Sequence, residues 1–172
     1  TGVPSIMPRD IAERRVRMDN IVFVAESDAE RLSRHRVVPG DIVYSRRGDV
    51  ERHALIGERE RGWLCGTGCM LVRPGARFPS PLYVSLHLDQ PDIRAWITQH
   101  AIGATMPNLN TSVLSQVPVF MPHNDILAGF DRIVAPLDVQ SVTNDRESQT
   151  LAALRDALLP KLIGGEVRVA DA

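Results

Sequence analysis

Lysine is almost missing from this chain: of its 20 basic residues only Lys161 is a lysine, and all the others are arginine. Cysteine is scarce too. Cys65 and Cys69 are the only two, which excludes a disulfide framework and suits a reducing cytoplasm. No apolar run reaches the length of a membrane span, and the opening TGVPSIMPRD lacks the basic-then-apolar layout of a signal peptide. Opening on Thr1 and not on Met fits a piece of a longer polypeptide or a processed chain. Catalytic signatures are missing as well: there is no GxSxG, no HExxH and no credible Ser/His/Asp order. Gly66-Thr67-Gly68 lacks the GK[ST] tail and following helix of a phosphate loop. His35, His53, His87, His100 and His123 are scattered singly, so Cys65 and Cys69 find no second ligand pair at zinc spacing. They read as buried or half-buried thiols, with a thiol hydrolase as the one catalytic alternative.

What is present is a chain of 172 residues, 44% hydrophobic and 24% charged, enough for one domain with a real core plus an appendage. Net charge is −1, which by itself argues against a crude polyanion binder. The distribution is uneven. Residues 1–80 hold 14 Arg against 11 Asp and Glu, and residues 81–172 hold 6 Lys and Arg against 10 acids. Arginine reads guanine edges and clamps phosphate with a planar fork, but a GC-rich genome supplies it by codon bias. Composition alone does not identify a DNA binder.

The first twenty residues, with Gly2, Pro4, Pro8 and the arginine-dense IAERRVRMD, read as an extended entry and a short polar helix or turn. Ile21–Ala25, Ile42–Ser45 and His53–Gly57 are strand candidates, and Met70–Arg73 follows WLCGTGC as another. Ser27–Arg36 looks helical, with Ser27 as N-cap and Glu30 as its capping-box partner. Leu82–Leu88 fits a strand or the first turn of a helix. Pro91–His100 reads as a helix with Ile93, Trp96 and Ile97 on one face. Val117–Phe120 suits a short edge strand, because Pro118 cannot donate to a ladder. The expected fold is α+β: a mixed, mostly β domain over residues 1–121, a long helix over 122–166 and a tail over 167–172.

That helix carries Phe130, Ile133, Leu137, Leu151, Leu154 and Leu158 at alternating steps of three and four. The same repeat runs through Gln140, Asn144 and Glu147, so the seam is apolar at both ends and polar in the middle. A narrow stripe on a helix this long needs a second helix to cover it. Pro136 either starts a second segment or kinks one continuous helix, Pro160 bends or ends it, and Gly164-Gly165 is a stop signal. Reversing the heptad about Asn144 sets Phe130 near Leu158 and Leu137 near Leu151. An antiparallel pair matches apolar to apolar, whereas a parallel pair stacks Glu147 on Glu147.

One turn stands out for chemistry. Ser45-Arg46-Arg47-Gly48-Asp49-Val50-Glu51-Arg52 crowds three arginines onto a turn directly after a strand. They suit DNA phosphates or guanine edges, and equally a solvated loop with internal pairs to Asp49 and Glu51. Thr105, Asn108 and Asn110 add short polar groups of the kind that meet bases or phosphates, and of the kind any tight loop carries.

Three motifs occur in order: Val38-Pro-Gly-Asp-Ile-Val-Tyr-Ser-Arg-Arg-Gly48, Gly103-Ala-Thr-Met-Pro-Asn-Leu109, and Leu151-Ala-Ala-Leu-Arg-Asp-Ala-Leu-Leu-Pro-Lys-Leu-Ile-Gly-Gly-Glu166. Together they resemble the specificity subunit of type I restriction-modification systems, as one target recognition domain followed by its conserved spacer helix, half of such a subunit. The resemblance implies a non-catalytic protein that binds double-stranded DNA, reads one half of a split site and positions methyltransferase and restriction subunits. It implies no cofactor on this chain, with S-adenosylmethionine and ATP on the partner subunits. It also implies that two long helices pack antiparallel, from a homodimer or from a second half of the same subunit, and set the half-site spacing. Within this frame Arg46, Arg47 and Arg52 become the first expected DNA contacts, with Ser45, Thr105, Asn108 and Asn110 behind them. The chain departs from the family at Glu51, where glycine is common, and at Gly164, where serine is usual. A rival from another class is a scaffold or regulatory protein that docks on the methyltransferase through its helix without touching DNA.

Overall fold

The computed structural model describes residues 2–103 and 107–166. It divides into two units, Thr1–Asp131 and Arg132–Ala172. The fold is α+β, and the described residues form three small sheets, short helices and one long C-terminal helix.

The central strand of the first unit is β5, Ile42–Ser45, paired antiparallel with β6 (His53–Leu55) on one side and β8 (Cys69–Val72) on the other. All four of its residues are buried. Alternation along the strand sends Ile42 and Tyr44 into one core and Val43 into another. The Ile42 and Tyr44 side is closed by α2 (Pro81–Leu88) and α3 (Pro91–His100), which contribute Val84, Leu88, Ile93 and Ile97. The Val43 side packs with Ile6, Ile11, Val16, Val37 and Ile56. A second sheet sets β1 (Val3–Ile6) between β4 (Val22–Val24), antiparallel, and β7 (Leu64–Cys65), parallel.

Several expectations need correction. Residues 1–20 hold β1, a 3₁₀ turn at Pro8–Asp10, and a hairpin of β2 (Ile11–Ala12) with β3 (Arg15–Val16). That hairpin turns through Glu13 and Arg14, both at positive φ (50° and 60°). Such turns normally carry Asn or Gly, so the sequence does not advertise it. Helix α1 is Glu26–Arg31 with Ala25 at the N-cap position and no side-chain cap, so Ser27 lies inside the helix and forms no capping box with Glu30. Leu82–Leu88 is helical, begun by Pro81 and capped by the Ser80 hydroxyl, which accepts from the Tyr83 amide at 3.0 Å. Val117–Phe120 is not a strand. Side chains of α2 hold it instead: the Tyr83 hydroxyl donates to the Phe120 carbonyl at 2.8 Å, and His87 Nε2 to that of Pro118 at 3.0 Å.

After α4 (Thr111–Ser115) comes α5, a single helix over Asn124–Ile163 that runs through both Pro136 and Pro160. Its first turns belong to the globular unit. Leu127 is buried there, Phe130 meets the Tyr83 ring edge-on at 5.5 Å, and Asp131 accepts from the Ser80 hydroxyl at 2.6 Å. Phe130, expected at the head of the seam, is therefore already engaged. Beyond it Ile133, Leu137, Leu151, Leu154 and Leu158 are exposed. At the polar centre Gln140 donates to Asn144 at 2.7 Å. The helix ends in a Schellman motif: the Glu166 amide bonds the Lys161 carbonyl at 2.9 Å, that of Gly165 bonds Leu162 at 3.2 Å, and Gly165 takes φ +73°. No helix among the described residues is long and apolar enough to cross a membrane.

Candidate nucleic-acid interface

The turn that leaves β5 is stitched to two other parts of the chain. The Arg46 amide donates to the Gly68 carbonyl at 2.8 Å, and the Arg46 carbonyl accepts from the Leu109 amide at 2.8 Å. Gly48 donates to Pro107 at 3.2 Å, and Arg47 pairs with Asn108 as an isolated bridge. The arginine turn and the loop that ends at Leu109, some sixty residues apart in sequence (residues 46–48 and 107–109), thus form one surface. Backbone bonds on both sides hold Arg46, whose side chain is exposed.

The seven expected contacts fare differently within this geometry. Arg46 and Arg47 are exposed, and among the described residues neither guanidinium meets a carboxylate. Arg52 is tied to Asp49 at 2.6 Å, the internal pairing that an ordinary solvated turn would show. Ser45 is 1% exposed and its hydroxyl donates to the Arg47 carbonyl at 3.0 Å, so it shapes the turn and has no face toward a ligand. Asn110 is the N-cap of α4, its side-chain oxygen accepting from the Val113 amide at 2.9 Å. Asn108 is half-buried, and its side-chain oxygen has no hydrogen-bond partner among the described residues. Thr105 lies outside the described residues.

Glu51, which stands where the resembled family commonly has glycine, is held by α3. It accepts from Arg94 at 2.7 Å and from the Thr98 hydroxyl at 2.9 Å, both on α3. The Arg94 hydrogen bond, above all, holds its carboxyl below the usual carboxylate range. The positive potential of Arg46 and Arg47 is thus not cancelled by that carboxylate.

Cys65 and Cys69 are half-buried free thiols. Burial, with Asp41 adding, pushes Cys65 up to about 12, and burial raises Cys69 as well. A thiol held protonated is a poor nucleophile, which weakens the thiol-hydrolase alternative.

Sequence reasoning missed the groove beside this turn. Its open volume of about 820 Å³ is bordered by Arg46, Thr67, Thr111, and Arg31, Arg34 and His35 of the segment after β4. A signal was available: Arg31 and Arg34 are three apart in a stretch read as helical, which sets both on one face.

Comparison with known proteins agrees with the reading of the motifs. No family model matches the chain. It is 33% identical over 86 residues to the specificity subunit of the type I restriction enzyme HindI of Haemophilus influenzae, covering 49% of this chain and 19% of that protein. It is 38% identical over 69 residues to the specificity subunit of the type I restriction enzyme MjaIX of Methanocaldococcus jannaschii, covering 40% and 16%. A putative type I specificity subunit of the same archaeon, MjaX, aligns over 94% of this chain and 39% of its own length at 20% identity. In fold, the chain matches a component of a type I R-M system solved in a study of complex assembly and conformational transition, with TM-score 0.58 and 18% identity. It also matches the HsdS subunit of Thermoanaerobacter tengcongensis, with TM-score 0.55 and 14% identity. These matches cover 45% and 42% of the solved chains, so this chain spans less than half the length of its relatives. In sequence and in fold, the chain is similar to part of a type I restriction enzyme specificity subunit.

Proposed function

We propose that the chain is the DNA-recognition part of a type I restriction-modification specificity subunit, reading one half of a bipartite site. It carries out no chemistry itself. It positions methyltransferase and restriction subunits, which hold S-adenosylmethionine and ATP, and its long helix pairs antiparallel with a second one. That second helix comes from another copy of this chain or from the other half of the same subunit. The observation that carries the reading is the joined surface of the β5 turn and the Leu109 loop. It presents Arg46 and Arg47 on a backbone fixed from both sides, with no carboxylate among the described residues neutralising them. A rigid support with a free planar fork is what base-edge recognition requires, and a bidentate guanine contact contributes ~1–3 kcal/mol of discrimination. The relatives' names point the same way.

The test is to map methylated sites in cells carrying this gene with its methyltransferase. Methylation confined to a bipartite sequence, and lost or relaxed in an Arg46→Ala/Arg47→Ala double variant, is the expected result. Unchanged methylation of the same sites by the double variant would remove the arginines from recognition.

A further inference from the structure

Two clefts among the described residues of the globular unit each bring several arginines together, and their charge balance separates them. In the smaller, of about 540 Å³, Arg14, Arg17, Arg52 and Arg94 line the wall with Glu13, Glu51 and Asp89. Each arginine there has a carboxylate: Arg94 with Glu51 at 2.7 Å, Arg52 with Asp49 at 2.6 Å, Arg14 with Asp89 at 3.8 Å and Arg17 with Glu13 at 4.0 Å. Such a cleft is self-neutralised and has little to offer an anion.

The groove beside Arg46 differs. Arg31 is held by Asp28 at 2.9 Å. Arg34, however, gives its Nε–H to His35 Nε2 at 3.1 Å, an acceptor that leaves the guanidinium charge in place. Arg46 adds a second charge with no carboxylate among the described residues. The turn that carries Thr67 is sterically fixed. A Cβ at Gly66 would come within 2.6 Å of Ser5 Oγ and 2.7 Å of the Ile6 carbonyl, and Gly68 sits at φ +88° against Pro8. Thr67 is exposed between them. The Gly68 carbonyl holds the Arg46 amide, so Thr67 and Arg46 keep a constant relation. An open trough with two guanidiniums that no carboxylate among the described residues neutralises, and a hydroxyl on a rigid turn, matches a sugar-phosphate backbone. Its regularly spaced anions reward charge without requiring a closed pocket.

We propose that this groove seats the phosphate backbone of the strand contacted by Arg46, with Arg34 and Thr67 as sequence-independent phosphate contacts. The assignment rests on the DNA-recognition reading above and extends it to the segment after β4 and to the Cys65–Cys69 turn.

The test compares two duplexes of equal length, one bearing the site found by methylation mapping and one unrelated. Their affinities for the chain assembled with its methyltransferase are followed between ~50 and ~200 mM salt. Arg34→Ala is expected to weaken both duplexes by the same factor and to flatten the dependence of log K on log salt by about 0.9. Arg34→Lys restores the slope, and Thr67→Val weakens both duplexes with the slope unchanged. Equal affinity and slope for Arg34→Ala on both duplexes, with Arg46→Ala relaxing discrimination, would overturn the groove while leaving DNA recognition standing. Weakening of the specific duplex alone would make Arg34 a base reader and equally overturn the proposal. If the unaltered assembly binds neither duplex in a salt-dependent way, the recognition reading falls as well.

Discussion

At the scale of single residues, the most consequential buried group is His53. It is 2% exposed, stacks on Tyr44 at a centroid distance of 5.0 Å, and sets Nε2 3.0 Å from the Ser85 hydroxyl and 3.1 Å from the Ser85 carbonyl. A carbonyl only accepts, so Nε2 carries the proton of the neutral ring. Burial, more than any charge nearby, pushes its pKa from 6.5 down to about 4. The unfolded chain therefore binds this proton more readily than the folded one. The associated stability is complete above pH ~6.5 and is lost as pH falls toward ~4, in total about 3 kcal/mol. Urea unfolding at intervals across that window should show a midpoint that drops with pH, and His53→Gln should flatten the drop. An equal pH dependence in both proteins would assign it to carboxylates elsewhere.

At the scale of elements, α5 is the longest among the described residues and carries two prolines in its interior. Pro136 lies inside it, where a proline has no N–H for the carbonyl four residues back and its ring crowds that turn. The helix persists because its first turns are anchored by Leu127, Phe130 and Asp131 and its end is closed by the Gly165 motif. Proline is ~3 kcal/mol less favourable than alanine inside a helix. Pro136→Ala should therefore add up to that amount to the unfolding free energy and so raise the denaturation midpoint, together with the helical circular-dichroism signal. A lower midpoint would mean that the ring is needed where it stands. The element scale also shows which helix starts were legible. Pro91 opens α3 where the sequence placed it. By contrast, α1 begins without a side-chain cap although Ser27 and Glu30 are present in the right order. A capping box is a local preference worth ~1 kcal/mol, and the path of the chain out of β4 outweighs it.

At the scale of the whole molecule, the exposed seam is the chief unsatisfied feature. Ile133, Leu137 and Leu151 are each about two-thirds exposed, at 65%, 64% and 66%. Leu154 and Leu158 follow at 52% and 44%. A soluble helix does not normally leave such a stripe wet. The internal bond from Gln140 to Asn144 lies at the polar centre of the stripe, the point about which Leu137 and Leu151 would exchange places in the proposed antiparallel pair. Sedimentation at micromolar concentration is expected to give a dimer, and Leu154→Glu to give a monomer with the globular unit intact. A strict monomer before any substitution would assign the seam to a different chain, and a dimer that survives Leu154→Glu would rule out the seam.

The sequence by itself determined what short-range chemistry dictates. Ile42–Ser45 was legible as a strand and Pro91–His100 as a helix because their periodicity and punctuation agree with their surroundings. The long helix and its glycine stop were legible for the same reason, and so were the three ordered motifs that set the family likeness. Tertiary structure alone decided what depends on which segments meet. Residues 46–48 and 107–109 become one surface only through backbone bonds that no local pattern announces. Ser45 and Asn110 looked like ligand groups, and packing turned them into parts of the scaffold, since a buried hydroxyl or a helix cap spends its hydrogen bonds internally. Glu51 looked like a neutraliser of the arginine turn until α3 supplied Arg94 to hold it. Charge in a sequence is a count, whereas charge in a fold is a set of pairs. The pairing leaves Arg34, Arg46 and Arg47 without a carboxylate partner among the described residues.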